Sequence, residues 1–153
     1  MPVQLGARRL PELLIYPDRM AEDPPVKVLI IDDSEEDRFL FRRFLGKGTL
    51  PYQVHEAADG RTGLMLAERL QPDCILLDLK LVDQSGYEVL GDLIGLERPP
   101  KRTVIVLTGL GRDILEQGAR SLGAAGFLVK SKTDAATLDL AIKQAIGKAP
   151  KDE

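Results

Sequence analysis

The sequence holds one cysteine, Cys74, one histidine, His55, and no tryptophan. A single thiol cannot close an internal disulfide, and one Cys with one His supplies neither a zinc cluster nor the nucleophile and base sets of serine or cysteine hydrolases. Chemistry here must run on carboxylates, hydroxyls or lysines. Positive charge is also short: 21 Lys and Arg stand against 24 Asp and Glu, a net of −3. The field that duplex nucleic acid or anionic lipid requires is missing, so neither nucleic acid nor membrane is expected as a partner. The apolar runs fall far short of the roughly 20 residues that cross a bilayer, and no long apolar stretch near the N-terminus ends in a small-residue cleavage site. The chain therefore reads as cytoplasmic. What remains is 153 residues, 44% hydrophobic, enough for one domain with a sizeable core.

Residues 1–25 stand apart. Pro2, Pro11, Pro17, Pro24 and Pro25 punctuate them, and Leu13, Leu14, Ile15 and Tyr16 are their main apolar cluster. They read as an arm, either flexible or an interaction segment, ahead of a domain over residues 26–148 and a short tail over 149–153. From Val26 onward, short apolar runs alternate with amphipathic stretches, the sign of repeated strand and helix units around a parallel sheet. Val26 to Ile31 is almost continuously apolar and β-branched, as a strand covered on both faces should be. Ser34 with Asp37 resembles a capping box, and Leu40, Phe41, Phe44 and Leu45 follow at helical spacing until Gly46 and Gly48. Tyr52 to Ala57 alternates apolar with polar, which suits an edge strand. A helix from Asp59 to Leu70 leads to Cys74–Leu77, a second buried strand. Val89, Leu90, Leu93 and Ile94 mark a third helix ended by Pro99-Pro100, and Thr103 to Leu107 form the fourth strand. Leu115, Ala119 and Leu122 stripe a fourth helix, Phe127 to Val129 are a short fifth strand, and Leu138, Ala141, Ile142, Ala145 and Ile146 stripe a last helix closed by Gly147.

In an open parallel sheet, ligands bind beyond the carboxyl ends of the strands. Strand one ends in Asp32 and Asp33, strand three in Asp78, strand four in Thr108 and strand five in Lys130. Each has an ordinary explanation: the acidic pair as a helix start, Thr108 as a β-former or cap, Lys130 as a solvated lysine. Asp78 resists one, because a carboxylate straight after four apolar residues is partly desolvated and needs a partner. If the strands share one sheet, these groups meet at one rim. Three carboxylates there raise one another's pKa unless a cation intervenes, which implies a divalent ion. Oxygen donors without His or Cys favour Mg²⁺. Mg²⁺, a free carboxylate, a hydroxyl and a lysine together describe phosphoryl transfer to aspartate.

These segments resemble the receiver domain of two-component response regulators, and in particular single-domain chemotaxis-type receivers. The resemblance runs from about Val26 to Gly147. It is carried by Val28-Leu29-Ile30-Ile31-Asp32-Asp33, by Ile75-Leu76-Leu77-Asp78-Leu79 with Gly86 eight residues on, by Leu107-Thr108-Gly109, and by Gly123 through Lys130. It implies an α/β fold with a doubly wound five-stranded parallel sheet in the flavodoxin-like order 2-1-3-4-5. It implies Asp78 as phosphoacceptor, Asp32 and Asp33 as Mg²⁺ ligands with Asp78 and the Lys80 carbonyl, Thr108 as donor to the phosphoryl group, Lys130 as its counter-charge, and Phe127 as switch aromatic. The implied partners are a sensor histidine kinase or phosphotransfer protein and a downstream protein target. The face of helix four, strand five and helix five would change its contacts, and a homodimer through it is one form of output. The chain would then be a signalling module assisting its own phosphoryl transfer and slow dephosphorylation. With only Lys148 to Glu153 after Gly147, output is expected through protein contacts or a further phosphotransfer.

Two positions depart from the family pattern. Val82 and Ser131 replace common prolines, and the second makes a cis bond after Lys130 unfavourable by about 2.5 to 4 kcal/mol. Lys80 and Leu110 sit where water access to an acyl phosphate is set. Other readings stay open. A Mg²⁺-dependent phosphatase with an aspartyl nucleophile expects an acid where Lys80 stands. A flavin or nucleotide carrier expects a glycine where Ile114 follows Gly109-Leu110-Gly111. A fragment of a hybrid kinase or longer regulator is the third.

Overall fold

The computed structural model describes residues 24–147; residues 1–23 of the expected arm and 148–153 at the C-terminal end lie outside them. Five parallel strands form one sheet in the order β2-β1-β3-β4-β5. They are β1 (Val26–Ile31), β2 (Tyr52–Ala57), β3 (Cys74–Leu77), β4 (Val104–Thr108) and β5 (Gly126–Val129). The helices between and after them are α1 (Glu35–Gly46), α2 (Gly60–Leu70), α3 (Gly86–Ile94), α4 (Asp113–Leu122) and α5 (Ala135–Ala145). This is the doubly wound order implied by the resemblance, with the strand order reversing between β1 and β3. No helix among the described residues is long and apolar enough to cross a membrane.

The central strands are apolar on both faces because helices cover both. Leu29, Ile31, Ile75, Leu77, Val104 and Val106 point to one side, against Val89, Leu90, Leu93 and Ile94 of α3 and Ala67 and Ala119 from α2 and α4. Their strand neighbours Val28, Ile30, Leu76, Ile105 and Leu107 point to the other, against Phe41 and Leu45 of α1 and Leu138 and Ile142 of α5. The period-two alternation thus builds two cores from the same three strands. β2, at the sheet edge, is only partly buried over most of its length, as its alternating sequence requires.

Side-chain caps fix where the helices begin. Ser34 Oγ accepts from Asp37 N (3.1 Å), Asp59 from Thr62 N (2.8 Å), Ser85 Oγ from Tyr87 N (3.2 Å) and Asp134 from Thr137 N (2.8 Å). α4 has no such cap at Arg112. Two sequence expectations need correction. α3 stops at Ile94, not at Pro99-Pro100, because Gly95 takes a positive φ of 76° that ends the helix first. Leu122, expected on the buried stripe of α4, is exposed, leaving Ala119 as that helix's one fully buried side chain. At Gly86 an added Cβ would lie 2.3 Å from the backbone of Leu79, so only glycine permits the close return of the loop after β3.

Candidate functional site

The carboxyl ends of the strands hold their acids in place by extending the backbone ladder one residue further. Asp32 N donates to Ala57 O and Asp78 N to Ile31 O, each at 3.0 Å. The two carboxylates are therefore seated side by side at the point where the strand order reverses. Oxygens of Asp32, Asp33 and Asp78 all lie within 4.8 Å of one another. Asp32 is 2% exposed and Asp78 6%, and each has one oxygen on a neighbouring backbone amide: Ser34 N on Asp32 Oδ1 at 2.9 Å, Lys80 N on Asp78 Oδ1 at 3.2 Å.

Their other oxygens meet Lys130. A short 3-10 turn over Lys130–Lys132 follows β5, pinned by Thr133 Oγ1 donating to Val129 O at 2.7 Å. The Lys130–Ser131 peptide is trans; among the described residues the cis bond is Arg98–Pro99. From this turn Nζ reaches Asp32 Oδ2 at 2.8 Å, Asp78 Oδ2 at 2.9 Å and Asp37 Oδ2 at 2.7 Å. Burial works against a charged lysine here, but hydrogen bonds to the three carboxylates outweigh it and hold its pKa above the ordinary value. For Asp32 the balance is reversed: burial dominates and lifts its carboxyl, with Lys130 and Ser34 opposing in part.

The remaining groups line a cleft of about 410 Å³ bounded by Asp33, Ser34, Asp37, Asp78, Lys80, Thr108, Gly109, Leu110 and Lys130. Thr108, with 0% exposure, lies at the end of β4, and its Oγ1 accepts from Leu110 N at 3.4 Å. Leu110 is half-exposed at the rim. Asp32, Asp33, Asp78, Lys80, Thr108 and Lys130 are thus brought together. Phe127 is not part of the cleft. It pairs in register with Val106, two residues before Thr108, and its partly buried ring packs on the α2–α3–α4 side. It also lines a groove with Arg120, Leu128, Ala141 and Gln144.

Two residues of this region escape a reading of the sequence. Asp37 looks like the answering half of a capping box, yet its carboxylate turns to Lys130 while only its backbone N–H serves Ser34. Arg38 donates from NH1 to Asp32 O (2.7 Å) and from Nε to Glu56 (2.9 Å), bracing the backbone that carries the first acid. Arg42 reaches the same Glu56. No local pattern signals either role, because Asp37 and Lys130 are 93 residues apart in sequence.

The family model for the response regulator receiver domain matches residues 28–143. Over 117 residues the chain is 36% identical to a protein-glutamate methylesterase/protein-glutamine glutaminase 2 of Xanthomonas oryzae pv. oryzae, a match covering 76% of this chain and 32% of that protein. The chain thus spans about a third of the length of such relatives. The chemotaxis response regulator CheY4 of Vibrio cholerae superposes with a TM-score of 0.70 at 27% identity, covering 80% of this chain and 99% of the other. The Mn(2+)-bound form of response regulator Rcp1 superposes with a TM-score of 0.63 at 26% identity, covering 80% and 91%. With sheet order, acidic rim and family match in agreement, the chain belongs to the response regulator receiver domains of two-component signalling.

Proposed function

We propose that this chain is a phosphoacceptor, taking a phosphoryl group from a phosphohistidine of a sensor histidine kinase or phosphotransfer protein onto Asp78. The observation that carries the reading is the meeting of Asp32 and Asp78, from two different strand ends, on the single ammonium of Lys130. In the transfer the donor's P–N bond breaks, its electron pair returns to the imidazole, and a P–O bond forms to an Asp78 carboxylate oxygen. Lys130 balances the charge that arrives. Thr108, buried at the cleft wall, donates its hydroxyl to a phosphoryl oxygen.

Four carboxylates, Asp32, Asp33, Asp37 and Asp78, gather with the ammoniums of Lys130 and, at the rim, Lys80, a formal −2 before the phosphoryl group adds close to two more negative charges. An all-oxygen donor set of this charge, with no His or Cys, fits Mg²⁺. Asp32, Asp33, Asp78 and the Lys80 carbonyl would hold it, and when bound it would neutralise charge on the transferring oxygens. The Mn²⁺-bound state of Rcp1 supports a divalent ion in this family.

Thr108 shares its sheet face with Val106 and Phe127, so its movement toward a phosphoryl group changes the packing available to that ring. The consequence is a population shift in the α4–β5–α5 face, which serves a downstream protein target or a homodimer. The chain acts as a cytoplasmic signalling module and not as an enzyme on external substrates. Incubation with Mg²⁺ and acetyl phosphate followed by intact mass tests this. One added phosphoryl group is expected, absent from Asp78→Asn and absent without metal; addition to Asp78→Asn removes the assignment.

A further inference from the structure

The ammonium of Lys130 has three protons and three acids around it: it donates to Asp37 and Asp78 and forms an ion pair with Asp32 Oδ2 at 2.8 Å. A phosphoryl oxygen on Asp78 needs one of those protons. Asp32 cannot yield easily, since it is buried and its other oxygen is fixed by Ser34 N. Asp37 is different. Its side chain is 36% exposed, it stands on the first turn of α1 at the rim of the cleft, and its 2.7 Å bond is the shortest of the three.

We infer that Asp37 is a positioning residue that draws Lys130 toward α1 and so restrains phosphorylation, an inference that rests on the phosphoacceptor reading above. It exchanges no atoms in the reaction. With acetyl phosphate, the bond between phosphorus and the acetate oxygen breaks, the pair leaves with acetate, and the new P–O bond forms to Asp78. Asp37 acts on this step in two ways. It occupies a proton of the ammonium that the phosphoryl oxygens require, and it places a further negative charge at the mouth through which an anionic donor enters.

The test compares initial rates of acyl phosphate formation from acetyl phosphate and Mg²⁺, read by intact mass, in four proteins: wild type, Asp37→Asn, Asp37→Glu and Glu36→Gln. Glu36 is the control, an exposed acid of the same helical turn for which no bond to Lys130 is present among the described residues. Asp37→Asn is expected to load roughly two- to fivefold faster at low ionic strength, the size of one partly exposed ionic interaction, with the gain shrinking as salt is added. Asp37→Glu, which keeps charge and reach, returns to the wild-type rate, and Glu36→Gln stays there. A purely structural role for Asp37 would lower stability without raising the rate. If wild type loads but Asp37→Asn is no faster, or if Glu36→Gln accelerates equally, the inference is overturned alone. If folded wild type takes no phosphoryl group at all, it falls together with the phosphoacceptor reading.

Discussion

Replacing Lys130 with methionine tests whether one ammonium makes the buried acids tolerable, because methionine keeps an unbranched stem and removes the charge. In the wild-type protein that ammonium makes three carboxylate contacts of 2.7 to 2.9 Å, two of them hydrogen bonds, and the side chain is 16% exposed. A hydrogen bond to a charged group contributes roughly 1.5–3 kcal/mol net, so the three contacts, counted alike, give an upper figure of about 5–9 kcal/mol. Two effects reduce it. The lysine no longer has to be desolvated, which is the largest influence opposing its charged form, and Asp37 can turn to water. The remaining loss is about 3 kcal/mol, the lower edge of what breaking a buried ion pair costs. For a domain of this size it corresponds to a fall in Tm of roughly 10 °C. The pH dependence has a definite sign. Asp32 already titrates above its ordinary 3.8, and without Lys130 it rises further. A carboxyl whose folded pKa exceeds the unfolded one opposes folding above the folded value, and this opposition vanishes as pH falls below 3.8. The deficit of the variant is therefore full at neutral pH and shrinks toward pH 4. Lys130 itself, raised above 10.5, contributes its stability in full below that value and loses it only in strong alkali, so it adds no slope here. Urea unfolding followed by circular dichroism, with and without millimolar Mg²⁺, measures all of this. A divalent ion supplies the missing cation, so Mg²⁺ stabilises the variant by about 1.4 kcal/mol at ten times its Kd and wild type by less at the same concentration. A variant as stable as wild type at neutral pH, a deficit that acid does not reduce, or an equal Mg²⁺ effect in both proteins would refute the reasoning.

Asp139→Ala should cost about 1–3 kcal/mol in urea unfolding, because this buried carboxylate accepts from Thr49 N (3.1 Å), Thr49 Oγ1 (2.8 Å) and Tyr52 OH (2.6 Å), of which the exposed Thr49 can turn to water. Burial works to raise its pKa, but the bonds from Tyr52 and Thr49 prevail and hold it below 3.8. Its contribution is therefore present above 3.8 and lost as pH falls through the folded value, so the gap between variant and wild type narrows in acid. Gly86→Ala should cost about 1–3 kcal/mol and slow phosphorylation by acetyl phosphate, since its Cβ meets the Leu79 backbone and displaces the loop that carries Lys80. Leu110→Gly should shorten the lifetime of the acyl phosphate severalfold after donor is removed, because a half-exposed side chain that limits water at the cleft is gone. Lys80→Ala, which removes a cation from the same rim, should also alter that decay; unchanged lifetimes in both would exclude shielding by this pair.

Much of the fold is legible because the central strands cannot be mistaken. Val26–Ile31, Cys74–Leu77 and residues 104–107 are apolar but for Lys27, so they must be covered on both faces, and a polar residue at the end of each must stand at the sheet's rim. The site follows from that inference without any knowledge of distance. What the sequence hides is pairing between distant segments. Ser34 and Asp37 carry a local signal strong enough to account for both residues, and that sufficiency conceals the longer bond from Asp37 to Lys130. Asp139 is hidden in the same way, sitting between Leu138 and Leu140 as an ordinary helical acid while Tyr52, 87 residues earlier, supplies its partner. The stripe expected on α4 misleads for another reason. With no side-chain cap at Arg112 and with Ile114 and Leu122 exposed, this helix is held by little more than Ala119 and the bond from Tyr87 OH to Leu115 O at 2.8 Å. A helix so lightly anchored beside the partly buried β5 is held loosely enough to repack. In the proposed function, charge added at Asp78 would reach it through Thr108 and Phe127, which share the sheet face that α4 covers. On that proposal, poor burial on α4 is the physical condition for a face that changes partners, and a tighter stripe would fix it.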